Sequence, residues 1–356
     1  MAYSPITKPS AHFNTVTYTG NDQNSRAVTG VGFKPDWAWL KNRSSAYSNQ
    51  TFDRVRGTSP GALYTDLTNA ADSNYPISSF DTDGITLRAT SHDSQNASGD
   101  NYVLWNWKAN NSAGSSNSDG TITSTVAANT TAGFSIIKFT GTGSGGATIG
   151  HGLGVKPQIF LLKSIGTSEH WHWWQDTDDN GTANQRLILN STATNYNNYF
   201  VTFGTSTITL PSQSDSGWSG NGTQYICYCF AEKQGYSNFG YYIGNGNTNG
   251  PFIYTGFRPA FVLQKRVSTT ENWHIFDNAR DTINVAAGAD DALRPNLSNA
   301  EISNWGVGFD FFANGFKATA TDGAINQNSG VYIYMAFAEN PLVANVGVNG
   351  IPALSR

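Results

Sequence analysis

The chain has 356 residues, of which 13% are charged and 13% aromatic, and carries a formal net charge of -4. It contains no Lys/Arg cluster, which leaves no electrostatic footprint for nucleic acid, and no apolar run long enough for membrane insertion. Residues 1–10 are polar and proline-bearing with no apolar signal core, so a soluble protein made in a cytoplasm is expected.

Residues 1–12, with Pro5 and Pro9, read as an extended N-terminal arm. A first module is predicted over 13–110. It holds Gly32-Phe33-Lys34-Pro35, an apolar strand ending at Lys41, an aromatic strand ending at Asp53, and a last strand Tyr102-Val103-Leu104-Trp105-Asn106-Trp107. The Ser/Asn/Gly-rich residues 111–120 have too little apolar content to fold alone and are expected to be a linker. The pattern returns over 121–235 with Gly154-Val155-Lys156-Pro157, Lys163, Asp176 and Tyr225-Ile226-Cys227-Tyr228-Cys229-Phe230. It returns again over 236–341 with Gly256-Phe257-Arg258-Pro259, Lys265, Asp277 and Tyr332-Ile333-Tyr334-Met335-Ala336-Phe337, before a tail at 342–356. With almost no spacer between the second and third modules, that pair is expected to be held more rigidly than the first and second. A unit of roughly 105 to 120 residues repeated in tandem is the size of an independent domain.

Periodicity within a module is two, the signature of strands. Each last strand has one large apolar face, Val103, Trp105, Trp107 and their counterparts, which must point into a core, while its other face is mixed. The strand after each proline is apolar on both faces. A doubly buried strand among alternating ones is what two packed antiparallel sheets supply, so three tandem β-sandwiches are expected in an all-β chain. Helix is expected only as short turns, for example at 290–293. In the tetrad, Gly relaxes the backbone and Pro starts a strand where no ladder bond is needed. Asp83-Gly84 and Asn314-Gly315 signal hairpin turns, with Ser206-Thr207 in their place in the second module. Cys227 and Cys229 are expected to pack rather than to form a disulfide.

Lys41 with Asp53, Lys163 with Asp176 and Lys265 with Asp277 are expected as cross-strand ion pairs that fix register, because a catalytic pair is not needed three times. Asp53 with Arg56 and Asp277 with Arg280 suggest a second local pairing. Asp176, Asp178 and Asn180 match the first half of a calcium loop, but its closing acid is replaced by Leu187. His170 and His172 fall on one face of a strand and are two candidate metal ligands without a third. No nucleophile elbow or phosphate loop is present, so no catalytic residue and no cofactor is predicted. Aromatic residues in polar loops, Trp218, Tyr196, Tyr199, Trp305, Tyr47 and Tyr75, can stack on sugar faces, or cap the ends of the sandwiches instead.

As a set, the run from Gly32 to Arg43, the segment Phe52-Asp53-Arg54-Val55-Arg56-Gly57, the strand ending Trp105-Asn106-Trp107-Lys108-Ala109, and Gly150-His151-Gly152-Leu153-Gly154-Val155-Lys156-Pro157 resemble a repeat of virion proteins of tailed bacteriophages, many of them marine. The likeness continues through Tyr254-Thr255-Gly256-Phe257-Arg258-Pro259-Ala260 and the strand running to Pro341. It implies lectin-type jelly rolls, similar in outline to concanavalin and laminin-G sandwiches. It also implies a virion surface structural protein of the kind labelled tail fibre, contacting host glycan without catalysis. The partners it implies are other virion proteins, the host surface, and copies of itself, with trimers favoured by analogy with fibres. The chain lacks a fibre shaft, which keeps open a capsid decoration protein docking through its terminal arms. A glycan-cleaving tailspike is the third reading.

Overall fold

Alternation of large apolar residues with small or polar ones puts this chain into antiparallel strands throughout. The structure is a computed structural model in which residues 4–281, 290–341, 343–346 and 349–352 are described, the last two stretches as backbone alone. Three large sheets follow one another along the chain. The first is five-stranded, in the order Phe13–Thr19, Asn101–Trp107, Trp37–Asn42, Gln50–Asp53, Leu63–Tyr64. The second is seven-stranded, with Gln185–Ile188, His172–Gln175, Ile159–Ser164, Gln224–Phe230, Phe134–Thr140, Ser124–Asn129 and Ser115–Asn117. The third is four-stranded, with Ser237–Ile243, Val331–Pro341, Phe257–Arg266 and Trp273–Asp277. Each is faced by a three-stranded sheet, whose central strands are Gly84–Thr86, Thr207–Thr209 and Gly315–Ala318. The fold is therefore an all-β sandwich arrangement, here as three sheet pairs.

Each pair has a core between its two sheets. Ala38, Leu40 and Leu104 meet Val28, Phe80 and Ile85 in the first. Phe160, Cys227 and Cys229 meet Ile149, Phe203 and Ile208 in the second, where both thiols are free and buried. Val262 and Ala336 meet Ile253, Phe309 and Phe316 in the third. The larger apolar faces are turned the other way. Trp37, Trp39, Trp105 and Trp107 join Ile159, Leu161, Tyr228 and Phe230, and Phe261, Leu263, Met335 and Phe337, in one core shared by all three large sheets. Ring centroids there are 4.3 Å apart for Trp37–Tyr228, 5.8 Å for Trp107–Phe261 and 5.9 Å for Phe230–Phe337. The strand after each proline is buried on both faces because it lies between its own core and the common one.

Several local expectations are revised by this arrangement. Part of the expected linker, Ser115–Asn117, is an edge strand paired with Ser124–Asn129, and the common core ties all three pairs together. The arm is packed from Ser4 onward: Ile6 enters the common core, and Pro9–Ala11 forms a 3-10 turn. Residues 290–293 are not helical; Ala292 and Leu293 make isolated bridges to Ile302 and Ile275, and α-helix occurs among the described residues only at Asp93–Asn96. Pro35 and Pro157 stand two residues ahead of their strands, whereas Pro259 lies inside one at a bulge, where a missing N–H breaks no ladder bond.

Candidate functional site

Arg186 lies on the strand Gln185–Ile188, opposite Trp174. The loop that follows folds back over it. Tyr196 N–H donates to the Arg186 carbonyl at 2.8 Å, Asn195 Oδ1 accepts from Arg186 N–H at 2.7 Å, and Asn198 Oδ1 accepts from the guanidinium at 3.0 Å. Tyr199 is held at φ 57 in the left-handed region, and its carbonyl accepts from Trp174 Nε1 at 2.8 Å. As a result, Arg186 Cζ lies 4.8 Å from the Tyr196 ring centroid, 5.2 Å from Tyr199 and 5.4 Å from Trp218. Trp218 is buried and forms the floor, while Tyr196 and Tyr199 are exposed at the mouth.

Beneath the floor, His172 meets the Trp218 ring edge-on at 5.3 Å, and both its ring nitrogens are buried without a partner. Burial, with Arg186 nearby, holds its imidazole well below the ordinary range, so it is neutral. Burial likewise lowers the Arg186 guanidinium, whose Nε makes no hydrogen bond; no carboxylate among the described residues lies within ion-pair distance. The cation is held against ring faces, with its unpaired Nε itself buried beneath the two exposed tyrosines.

Three of the six loop aromatics thus converge, Trp218, Tyr196 and Tyr199, and three lie elsewhere. Trp305 stacks on His274 at 4.8 Å, lies under Arg294, and caps the third sandwich. Tyr47 belongs to the first pair, where its hydroxyl donates to Asp93 at 3.3 Å and its ring, like that of Tyr75, meets His92. Sequence reasoning missed Arg186, although an arginine in an otherwise uncharged strand, without a nearby acid, was the available signal. In the loop of the calcium reading, Asp176, Asp178 and Asn180, the Lys156 ammonium lies 3.7 Å from Asp176 and 2.8 Å from Asp179. No cluster of three or more metal-ligating side chains occurs among the described residues, and His170 is exposed while His172 is buried.

The lysine–aspartate ion pairs also do not form. Lys41, Lys163 and Lys265 are fully buried, and each donates to a backbone carbonyl of another sheet pair: Ser298 at 2.8 Å, Thr68 at 3.0 Å and Thr192 at 3.1 Å. Those contacts run from first to third, second to first and third to second, closing a ring. The aspartates lie at the far end of the same hairpins, opposite Trp37 and Phe261. Asp53 pairs with Arg56 at 2.5 Å and accepts from Tyr228 of the second pair at 2.9 Å; Asp277 pairs with Arg280 at 2.6 Å and accepts from Trp105 of the first at 2.9 Å. The residue opposite Ile159 in the second pair is Gln175, so Asp176 is one position out of register with them.

The family model described as "Domain of unknown function (DUF7483)" matches residues 8–341, and the chain belongs to that family. No curated protein and no solved structure matches the chain.

Proposed function

We propose that this member of the DUF7483 family is a non-catalytic structural protein of the surface of a tailed-bacteriophage particle, a tail fibre or other host-contact appendage that binds bacterial surface glycan at the Arg186 cluster. The observation that carries the site is the convergence of two exposed tyrosines and a buried tryptophan on one guanidinium. Ring faces bind the apolar faces of sugars, and the positive charge behind them favours an acidic one. The particle location rests on the repeat motifs, as does assembly with other virion proteins and with copies of itself. The non-catalytic part draws support from Asp53 and Asp277, each buried and engaged by an arginine and by a Tyr or Trp donor.

A capsid decoration protein docking through residues 1–12 has less support, because that arm from Ser4 onward is packed on its own chain. The test is a glycan-binding screen of the full chain, with gold labelling of intact particles. Binding should fall at least about tenfold in a Tyr196→Ala, Tyr199→Ala double variant. Glycan binding that ignores both tyrosines would defeat the site, and particles without label would defeat the location.

A further inference from the structure

The three-stranded sheets repeat one register, so their outward faces can be compared in three copies. Ile85, Ile208 and Phe316 are equivalent inward residues at the centre, each with an inward partner on both neighbouring strands. Residues on either side of these point to the outer face, by the period of two. In the third pair that face holds Phe252, Lys317 and Asp310 in one cross-strand row and Tyr254, Gly315 and Phe312 in the next. At the three ring positions the first pair has Ala27, Thr29 and Asp81, and the second has Thr148, Gly150 and Gly204. Phe252, Tyr254 and Phe312 are exposed by 46%, 62% and 40%. The fold does not require rings here, since two copies do without them.

Register also explains how the rings meet. Gly315 has no side chain, and Phe252 leans over it: a Cβ there would lie 2.8 Å from the Phe252 ring Cζ. The Phe252 and Phe312 rings then meet edge to face, centroids 5.9 Å apart and planes at 67°, with Tyr254 at the other end of the glycine row. Polar groups border them. Lys317 Nζ donates to Asn249 Oδ1 at 2.5 Å, and Asp310 stands opposite Lys317 across the strands, so the two charges offset each other. The Arg186 cluster differs, because no acid answers its charge. Size narrows the occupant: half-exposed rings of about 150–250 Å² each offer roughly 300 Å², short of the roughly 800 Å² that each partner contributes to a stable protein interface. A bilayer would have to strip water from Asp310 and Lys317 together with the rings.

We propose that the outer face of the third pair's small sheet is a second carbohydrate site, which takes a neutral sugar on Phe252, Tyr254 and Phe312. The apolar C–H face of a pyranose packs on the rings, while its hydroxyls reach the carboxylate, ammonium and amide of Asp310, Lys317 and Asn249. This site shares no residue with the Arg186 cluster and does not depend on it. The two differ in charge, so they select different sugars.

The test is calorimetric titration of the full chain with neutral tetrasaccharides of glucose, galactose and mannose, beside a variant carrying the first pair's residues: Phe252→Ala, Tyr254→Thr and Phe312→Asp. At least one tetrasaccharide should bind the wild type, and its affinity should fall at least about tenfold in the variant. In the wild type that sugar should also slow amide exchange at Phe252–Tyr254 and Gly315–Ala318 and not at Ala27–Val28, a readout that needs no variant. No binding of any of the three sugars, or binding indifferent to the three substitutions, would overturn the proposal. So would neutral binding that disappears in the Tyr196→Ala, Tyr199→Ala variant instead, or a sedimenting dimer that the three substitutions dissolve.

Discussion

At the scale of single residues, the contacts between sheet pairs explain why some side chains change together. Trp105, Tyr228 and Met335 are equivalent, each lying two residues before the partner of Trp37, Ile159 or Phe261. Trp105 and Tyr228 donate to Asp277 and Asp53 across the shared core. Met335 has no proton to donate, and the residue that would accept from it is Gln175, with no arginine three positions on. A buried carboxylate needs both a cation and a donor, and leaving one partner out costs about 3–5 kcal/mol, so donor, acid and arginine are lost as a group. The lysines obey the same logic with carbonyls as acceptors. Burial lowers Lys163 to about 7. Free lysine titrates near 10.4, so between those values the unfolded chain holds a proton that the folded chain has released, and stability rises with pH. Thermal melts from about pH 7 to about 9.5 should therefore show a rising midpoint in the wild type and a flatter curve in Lys163→Met; equal slopes would refute the assignment. The repeated Lys and Asp and the local arginines are plain in the sequence, but the partners on other sheet pairs are not, because those lie more than seventy positions away in the chain.

At the scale of elements, turn chemistry was legible and its cause only partly so. Gly32, Gly154 and Gly256 of the repeated tetrad have φ of 82, 69 and 79, and an added Cβ would meet no atom closer than 3.6 Å, so conformation is what demands glycine there. Gly84 is different. It follows the two-residue turn as the first residue of its strand, and a Cβ on it would lie 1.9 Å from the Val28 carbonyl oxygen. Gly84→Ala should cost about 1–3 kcal/mol through forced displacement of that neighbouring strand, read as a lower urea midpoint. A cost within error of zero would show that the facing sheet yields freely. The Arg186 cluster belongs to this scale too: aromatic residues in loops were visible, whereas their convergence required the loop after Gln185–Ile188 to fold back on its own strand.

At the scale of the molecule, the shared core decides how the chain behaves. Trp37, Trp39, Trp105 and Trp107 are buried against the other two large sheets, so a sheet pair removed from its neighbours would expose all four rings to water. Each large side chain contributes roughly 1.5–3 kcal/mol on burial, so the pairs should stabilise one another instead of melting in turn. We expect a single cooperative unfolding transition for the whole chain, followed in parallel by tryptophan fluorescence and far-UV circular dichroism. Two or three resolved steps would mean the common core is weaker than its composition implies.

Strand class, the recurrence of the unit and the burial of its apolar faces were determined by the sequence alone, because period-two patterning and turn residues act over a few neighbours. Tertiary structure alone decided which core each face enters, what the buried lysines and aspartates bind, and which loop aromatics meet. A strand's two faces are distinguishable in the sequence, but the direction in which the larger one points depends on sheets brought together from distant parts of the chain. The sum of those long-range contacts, and no local preference, turned the tryptophan-rich faces inward to a common centre.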